Sequence, residues 1–106
     1  MAQELTYLQF LVLSHLLGEE HSGRELRKKV DDYKQLSLAS FYQLMARLED
    51  AKMVEGWYTS KSVDGVPVKE RHYKIIAGGT KAWNATRRLY EDAAKIGKPG
   101  LAWGGA

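Results

Sequence analysis

The chain opens with a dense apolar run, LTYLQFLVLSHLL over residues 5–17, halted by Gly18. Its spacing predicts a helix from Thr6 to Leu17 with apolar side chains around nearly the whole circumference. A helix on the surface of one small domain needs a single apolar stripe, so this one calls for cover from two sides. In so short a chain the second cover is expected from another subunit. The pattern turns polar at Ser22-Gly23-Arg24-Glu25. This is a capping box: the Ser22 hydroxyl accepts from the Glu25 amide, and the Glu25 carboxylate accepts from the Ser22 amide. The helix it opens places Leu26, Val30 and Tyr33 on one face and Arg24, Arg27, Lys28 and Lys29 outside. After a short link, Lys34–Leu36, a third helix is predicted over residues 37–51 with Ser37 as N-cap. Phe41, Leu44, Met45 and Leu48 recur at helical spacing and point inward, leaving Ala39, Ser40, Tyr42, Gln43 and Arg47 near the outer face.

Two strands follow, about Val54–Lys61 and Lys69–Ile76, around the turn residues Ser62, Asp64, Gly65 and Pro67. Trp57 and Tyr73 are candidates for the face packed on the helices. After Gly78-Gly79 a fourth helix is predicted from Thr80 to about Ile96. Ala82, Thr86, Leu89, Ala93 and Ile96 form one stripe close to a heptad seam, with Trp83, Arg87 and Tyr90 beside it. The glycine-rich end, GKPGLAWGGA, reads as a flexible tail. The expected organisation is therefore a winged helix-turn-helix domain over residues 1–78, a dimerisation helix over 79–96 and a tail over 97–106. The fold class is mainly α with a small β-hairpin.

In a helix-turn-helix the second helix of the pair is offered to a DNA major groove, with its outward residues toward bases and phosphates. That assigns double-stranded DNA contact to Ser37, Ala39, Ser40, Tyr42, Gln43 and Arg47. Arg47 either reaches phosphate or pairs with Glu49 or Asp50. The hairpin becomes the wing, and Lys61, Lys69 and Arg71 are placed to grip the phosphate backbone. Charge sharpens this picture. The net charge is +3, and the Lys and Arg outnumber the acids only in the second half of the chain, from the hairpin onward. The bland counterpart is a wing kept soluble by its charges, since sheet edges are commonly protected by lysine.

Composition narrows the function classes. The 106 residues fit one domain with a modest core. No cysteine is present, which removes disulfides and thiolate chemistry and fits a reducing, cytoplasmic setting. The first apolar run is too short to span a bilayer, so no membrane association is expected. His15, His21 and His72 are scattered without metal-ligand spacing, and His15 reads as a satisfied core histidine. AGGTK lacks the order and glycine spacing of a phosphate loop. No catalytic residue, metal or cofactor is assigned, and the chain is read as a non-enzyme.

SFYQLMARLEDAKMVEGW resembles the segment of PadR-like transcriptional regulators that reads T-L-Y-x-x-L-x-R-L-E-x-x-G-L-V. Ser40, Phe41, Tyr42, Arg47, Leu48, Glu49 and Val54 occupy the matching places. Gly23, Glu25 and Leu26 are similar to the family's G-Y-E-L, and Arg71, Tyr73 and Gly79 to its R-x-Y-x-L-T-x-x-G. The likeness spans roughly residues 5–95. Arg24 departs from the usual Tyr, Lys52 from the usual Gly after the recognition helix, and Ile76 from a Thr that could cap the last helix, leaving Thr80 as a substitute. Lys52 must therefore hold an unusual conformation or the cap is built differently. The single C-terminal helix resembles the smaller PadR subfamily. The resemblance implies a homodimer whose last helix crosses onto the partner's first helix. It also implies a repressor of transcription at a pseudo-palindromic operator. Two readings stand for the aromatic residues at the dimer axis. Leu8, Val12, Trp83, Arg87 and Tyr90 either wall a pocket for a small planar effector or simply pack the interface; heptad spacing favours packing. A winged helix used for protein interaction or ligand sensing, without DNA binding, is the alternative.

Overall fold

A computed structural model describes residues 5–97. Four helices and three strands follow in the order α1 (Tyr7–Leu16), β1 (His21–Ser22), α2 (Gly23–Asp31), α3 (Leu38–Asp50), β2 (Val54–Val63), β3 (Val66–Ile75) and α4 (Ala77–Gly97). The architecture is a winged helix-turn-helix with a long terminal helix, as expected. No helix among the described residues is long and apolar enough to cross a membrane.

The starts of α1, α2 and α3 are each fixed by an N-cap side chain. Ser22 and Glu25 form the expected box, with mutual bonds of 3.1 Å. Thr6 and Gln9 form a second one at α1. Ser37 caps α3 by accepting from the Ser40 amide. α2 stops at Asp31, so Tyr33 does not continue its inward face; it is 63% exposed. α3 ends at Asp50, and Lys52 takes φ 61°, the left-handed conformation that the missing glycine demanded.

The strands run further than the alternation predicted. They continue to Asp64 and Gly65, both left-handed at φ 51° and 78°, a two-residue loop whose twist matches the strands. Ser62 and Pro67 are paired strand residues rather than turn residues. The two-residue β1, too short to leave a periodic signal, pairs antiparallel with β3 and makes a three-stranded sheet of order β1-β3-β2. Register places Gly56, Tyr58, Arg71 and Tyr73 on the face toward the helices. Trp57 sits on the opposite face, stacked on His72 with Lys74 nearby, so only Tyr73 of that pair enters the core.

α4 begins at Ala77, because the Ile76 carbonyl accepts from Gly79 and Thr80. The paired glycines therefore lie within its first turn. A Cβ on Gly79 would collide with the Met53 carbonyl, and the packing of the helix against the α3–β2 turn requires that bare backbone. The core gathers Val12, Leu13 and Leu16 with Leu26, Val30, Phe41, Met45, Leu48, Met53, Val54, Tyr73 and Ala82. The second cover of α1 comes in part from α4 of the same chain. Trp83 stacks on Phe10 at 5.6 Å and donates its Nε1–H to Ser14 Oγ at 2.8 Å; Tyr90 meets Phe10 edge-on. Of the tail, Gly97 closes α4 and residues 98–106 lie outside the described residues.

Candidate nucleic-acid interface

α3 buries Phe41, Met45 and Leu48 on one side. Helical geometry therefore turns Ala39, Tyr42, Gln43 and Arg47 outward, and all four are exposed. Ser40 is exposed too, but its hydroxyl accepts from Ser37 Oγ at 2.9 Å, so the two serines are partly occupied in capping. Tyr42 rests edge-on against Phe41, and its hydroxyl stands over Gly23, where a side chain would meet it at 2.9 Å. The ring is thus held upright at the crest of the surface.

Clefts flank that crest. One of about 370 Å³ lies between α2 and α3 and is lined by Arg24, Arg27, Lys28 and Leu38 as well as Tyr42. Another, about 270 Å³, lies between Tyr42 and the wing and is lined by Arg24, Lys61, Lys69 and Arg71. Arg24 and Tyr42 belong to both, so the two clefts form one basic surface. A third groove of about 460 Å³ runs along the other flank of α3, between Tyr7, Leu8 and Leu36 on one side and Ser40, Gln43, Leu44 and Arg47 on the other. The spacing that assigned Arg24, Arg27 and Lys28 to the outside of α2 holds for Arg24 and Lys28, whereas Arg27 is half-buried and donates its Nη2–H to the Leu36 carbonyl at 3.1 Å.

The cations differ in freedom. Lys61 is 3.9 Å from the Glu70 carboxylate, a loose pair in which the lysine is exposed and the glutamate half-buried. Lys69 and Arg47 make no ion pair among the described residues, so the expected alternative for Arg47, pairing with Glu49 or Asp50, is not what forms. Arg71 is tied instead: its Nη2 is 2.6 Å from Glu49 Oε1. Burial is the largest single influence and works against its charge, but the hydrogen bonds and charge interactions with Glu49 and Tyr73 together outweigh it and raise its pKa. Tyr73, buried beside it, has its phenol pushed up to about 12, mainly by burial. The expectation that Arg71 grips phosphate thus meets a guanidinium already occupied by a carboxylate.

The residues assigned to an effector pocket or dimer interface separate. Trp83 and Tyr90 meet at Phe10, and Arg87 lies over the Trp83 ring while pairing with Glu91. Val12 is wholly buried in the chain's own core, and Leu8 lines the groove beside α3. Among the described residues no group of three or more His, Asp or Glu could hold a metal ion.

No protein-family model and no curated protein matches the chain. Solved structures do. A PadR family transcription regulator from Clostridium difficile superposes with a TM-score of 0.76 over 91% of this chain and 99% of its own, at 18% identity. The chain has the PadR-type winged-helix fold. A PadR-like transcriptional regulator from Bacillus cereus matches with a TM-score of 0.69 and 24% identity, covering 89% of this chain and 90% of that one. Bacillus subtilis PadR, solved in complex with operator DNA, matches with a TM-score of 0.62 and 16% identity over 74% of this chain and 45% of its own. At these identities the PadR likeness establishes the fold.

Proposed function

We propose that this chain is a sequence-specific DNA-binding regulator of transcription, a homodimer that represses by occupying a pseudo-palindromic operator. The observation that carries the reading is the single basic surface around Tyr42, in which α3, the start of α2 and the wing present Arg24, Lys28, Lys61 and Lys69, with Arg47 on the other flank of α3. The PadR fold supports it, since one PadR structure is bound to operator DNA. On this reading Tyr42 and Gln43 meet base edges and the lysines and arginines meet phosphates. Trp83 has its ring on Phe10 and its N–H on Ser14, which favours packing over stacking on a ligand.

Selection from random duplexes is expected to enrich a pseudo-palindrome with half-site centres one helical turn apart, roughly 34 Å. Lys61→Ala and Lys69→Ala should each lower the slope of log affinity against log salt by about 1. Tyr42→Ala with Gln43→Ala should relax the selected sequence instead. Undetectable binding to any duplex at low salt would defeat the proposal. A protein-docking use of the same face has one observation in its favour: Leu38 is 54% exposed beside Tyr42. Binding to duplex that survives Tyr42→Ala plus Lys61→Ala without change would turn the assignment toward it.

A further inference from the structure

The strongest polar contact between α3 and the wing lies at the edge of the basic surface, where Arg71 also lines the cleft beside Tyr42. Arg71 leaves β3 and reaches Glu49 in the last turn of α3, with both side chains about three-quarters shielded from solvent at 24% and 28% exposure. Tyr58, its direct cross-strand neighbour, lies with its ring centroid 4.7 Å from the guanidinium, and Tyr73 closes another side at 5.7 Å. The meeting is allowed by glycine at position 56. A Cβ there would collide with the Glu49 carboxylate and stand 2.8 Å from Arg71 Nη2. Among the described residues, no other side-chain hydrogen bond or ion pair joins α3 to the hairpin. Beyond this point the hairpin is unsupported: residues 60–69 are all exposed.

We propose that the Glu49–Arg71 pair is a latch that holds the wing at a fixed angle to α3, making both residues positioning groups for DNA binding. The inference rests on the DNA-binding reading above. Leverage gives it force. Five strand residues, Val66 to Glu70, lie between Arg71 and the hairpin loop, which is roughly 20 Å away, so a 10° change at the base moves the loop by about 3 Å. At Lys69 and Lys61, two and three residues from the pivot, the same change moves the backbone by about 1–2 Å, enough to spoil hydrogen bonds to phosphates that Tyr42 and Gln43 have placed. A guanidinium enclosed by a carboxylate and two rings is also poorly placed to serve phosphate itself.

Glu49→Gln separates the latch from simple electrostatics. It removes a negative charge beside a polyanion site, so charge alone predicts tighter binding; the latch predicts binding about tenfold weaker, the scale of one lost charge-assisted hydrogen bond. Arg71→Gln should lose a similar factor with the salt slope kept, and the double variant should lose no more than either single one. A phosphate-gripping Arg71 predicts instead a slope lowered by about 1 and a harmless Glu49→Gln. Amide hydrogen exchange in the free protein supplies a reading independent of DNA. Exchange across residues 59–70 should quicken in Glu49→Gln while helix content and the α1–α3 core stay protected. Should the parent bind no duplex, the DNA-binding reading falls and the exchange measurement alone judges the latch. Unchanged wing exchange, or duplex binding as tight as the parent's, would overturn it.

Discussion

At the scale of single residues, His15 departs from the ordinary behaviour of a core histidine. Its Nε2 is buried and finds no hydrogen-bond partner among the described residues, while Tyr33 lies tilted against the ring at 6.4 Å. Burial, and then the charge of Lys29, hold its pKa below the usual value. Protonation is therefore easier in the unfolded chain, so the stability contributed by neutral His15 is present above the unfolded pKa and is lost as pH falls toward the folded one. Chemical denaturation at pH 8 and pH 5 should show the parent losing more stability on acidification than His15→Leu does. An equal loss in both would remove His15 as the cause. Glu25 acts in the other direction on its own helix. Accepting from the Ser22 backbone and hydroxyl lowers its pKa, so the α2 cap survives until pH falls through that lowered value. The capping box was legible because its four residues are contiguous. The orphaned nitrogen of His15 was not, since it depends on what α2 brings across from the end of the chain's next turn.

Among the elements, α4 shows why local pattern and packing tell different halves of the story. Its heptad-like stripe identified a long apolar-faced helix, but periodicity carries no address for the partner. Ala82 and Thr86 of that stripe are buried in the same chain, and Trp83 beside them is bound to α1 by a ring stack and a hydrogen bond. Trp83→Leu removes both and should cost about 2–3 kcal/mol of stability, while Ser14→Ala, which leaves the stack, should cost about 1 kcal/mol. Thermal melts of the two variants check the ranking, and Ser14→Ala as damaging as Trp83→Leu would mean the hydrogen bond rather than the stack docks the helix. The wing is the complementary case. Its Asp64-Gly65 loop and basic residues were readable from turn chemistry, whereas β1 was not, because two residues have no alternation to detect. Trp57 and Tyr73 both carried aromatic weight; a register that puts Tyr73 opposite Gly56 sent only Tyr73 inward.

For the molecule as a whole, the unfinished surface is the far half of α4. At about 1.5 Å per residue the helix is roughly 31 Å long, and its buried residues end at Thr86. The same stripe then continues through Leu89 and Ile96, which are 51% and 86% exposed. A seam that starts in one core and runs on into solvent is what the proposed dimer would close, with the far half of each α4 lying against the partner. Leu89→Glu together with Ile96→Glu places charge on that seam without touching the buried Ala82 and Thr86. Helix content and melting should then persist, while sedimentation reports a monomer. Linking two half-site contacts multiplies affinity by roughly a hundredfold or more, so binding to the full operator should weaken by that order while binding to an isolated half-site stays as it was. A variant that remains dimeric would move the interface off this stripe, and a monomer that keeps full operator affinity would show that the two copies never shared one site.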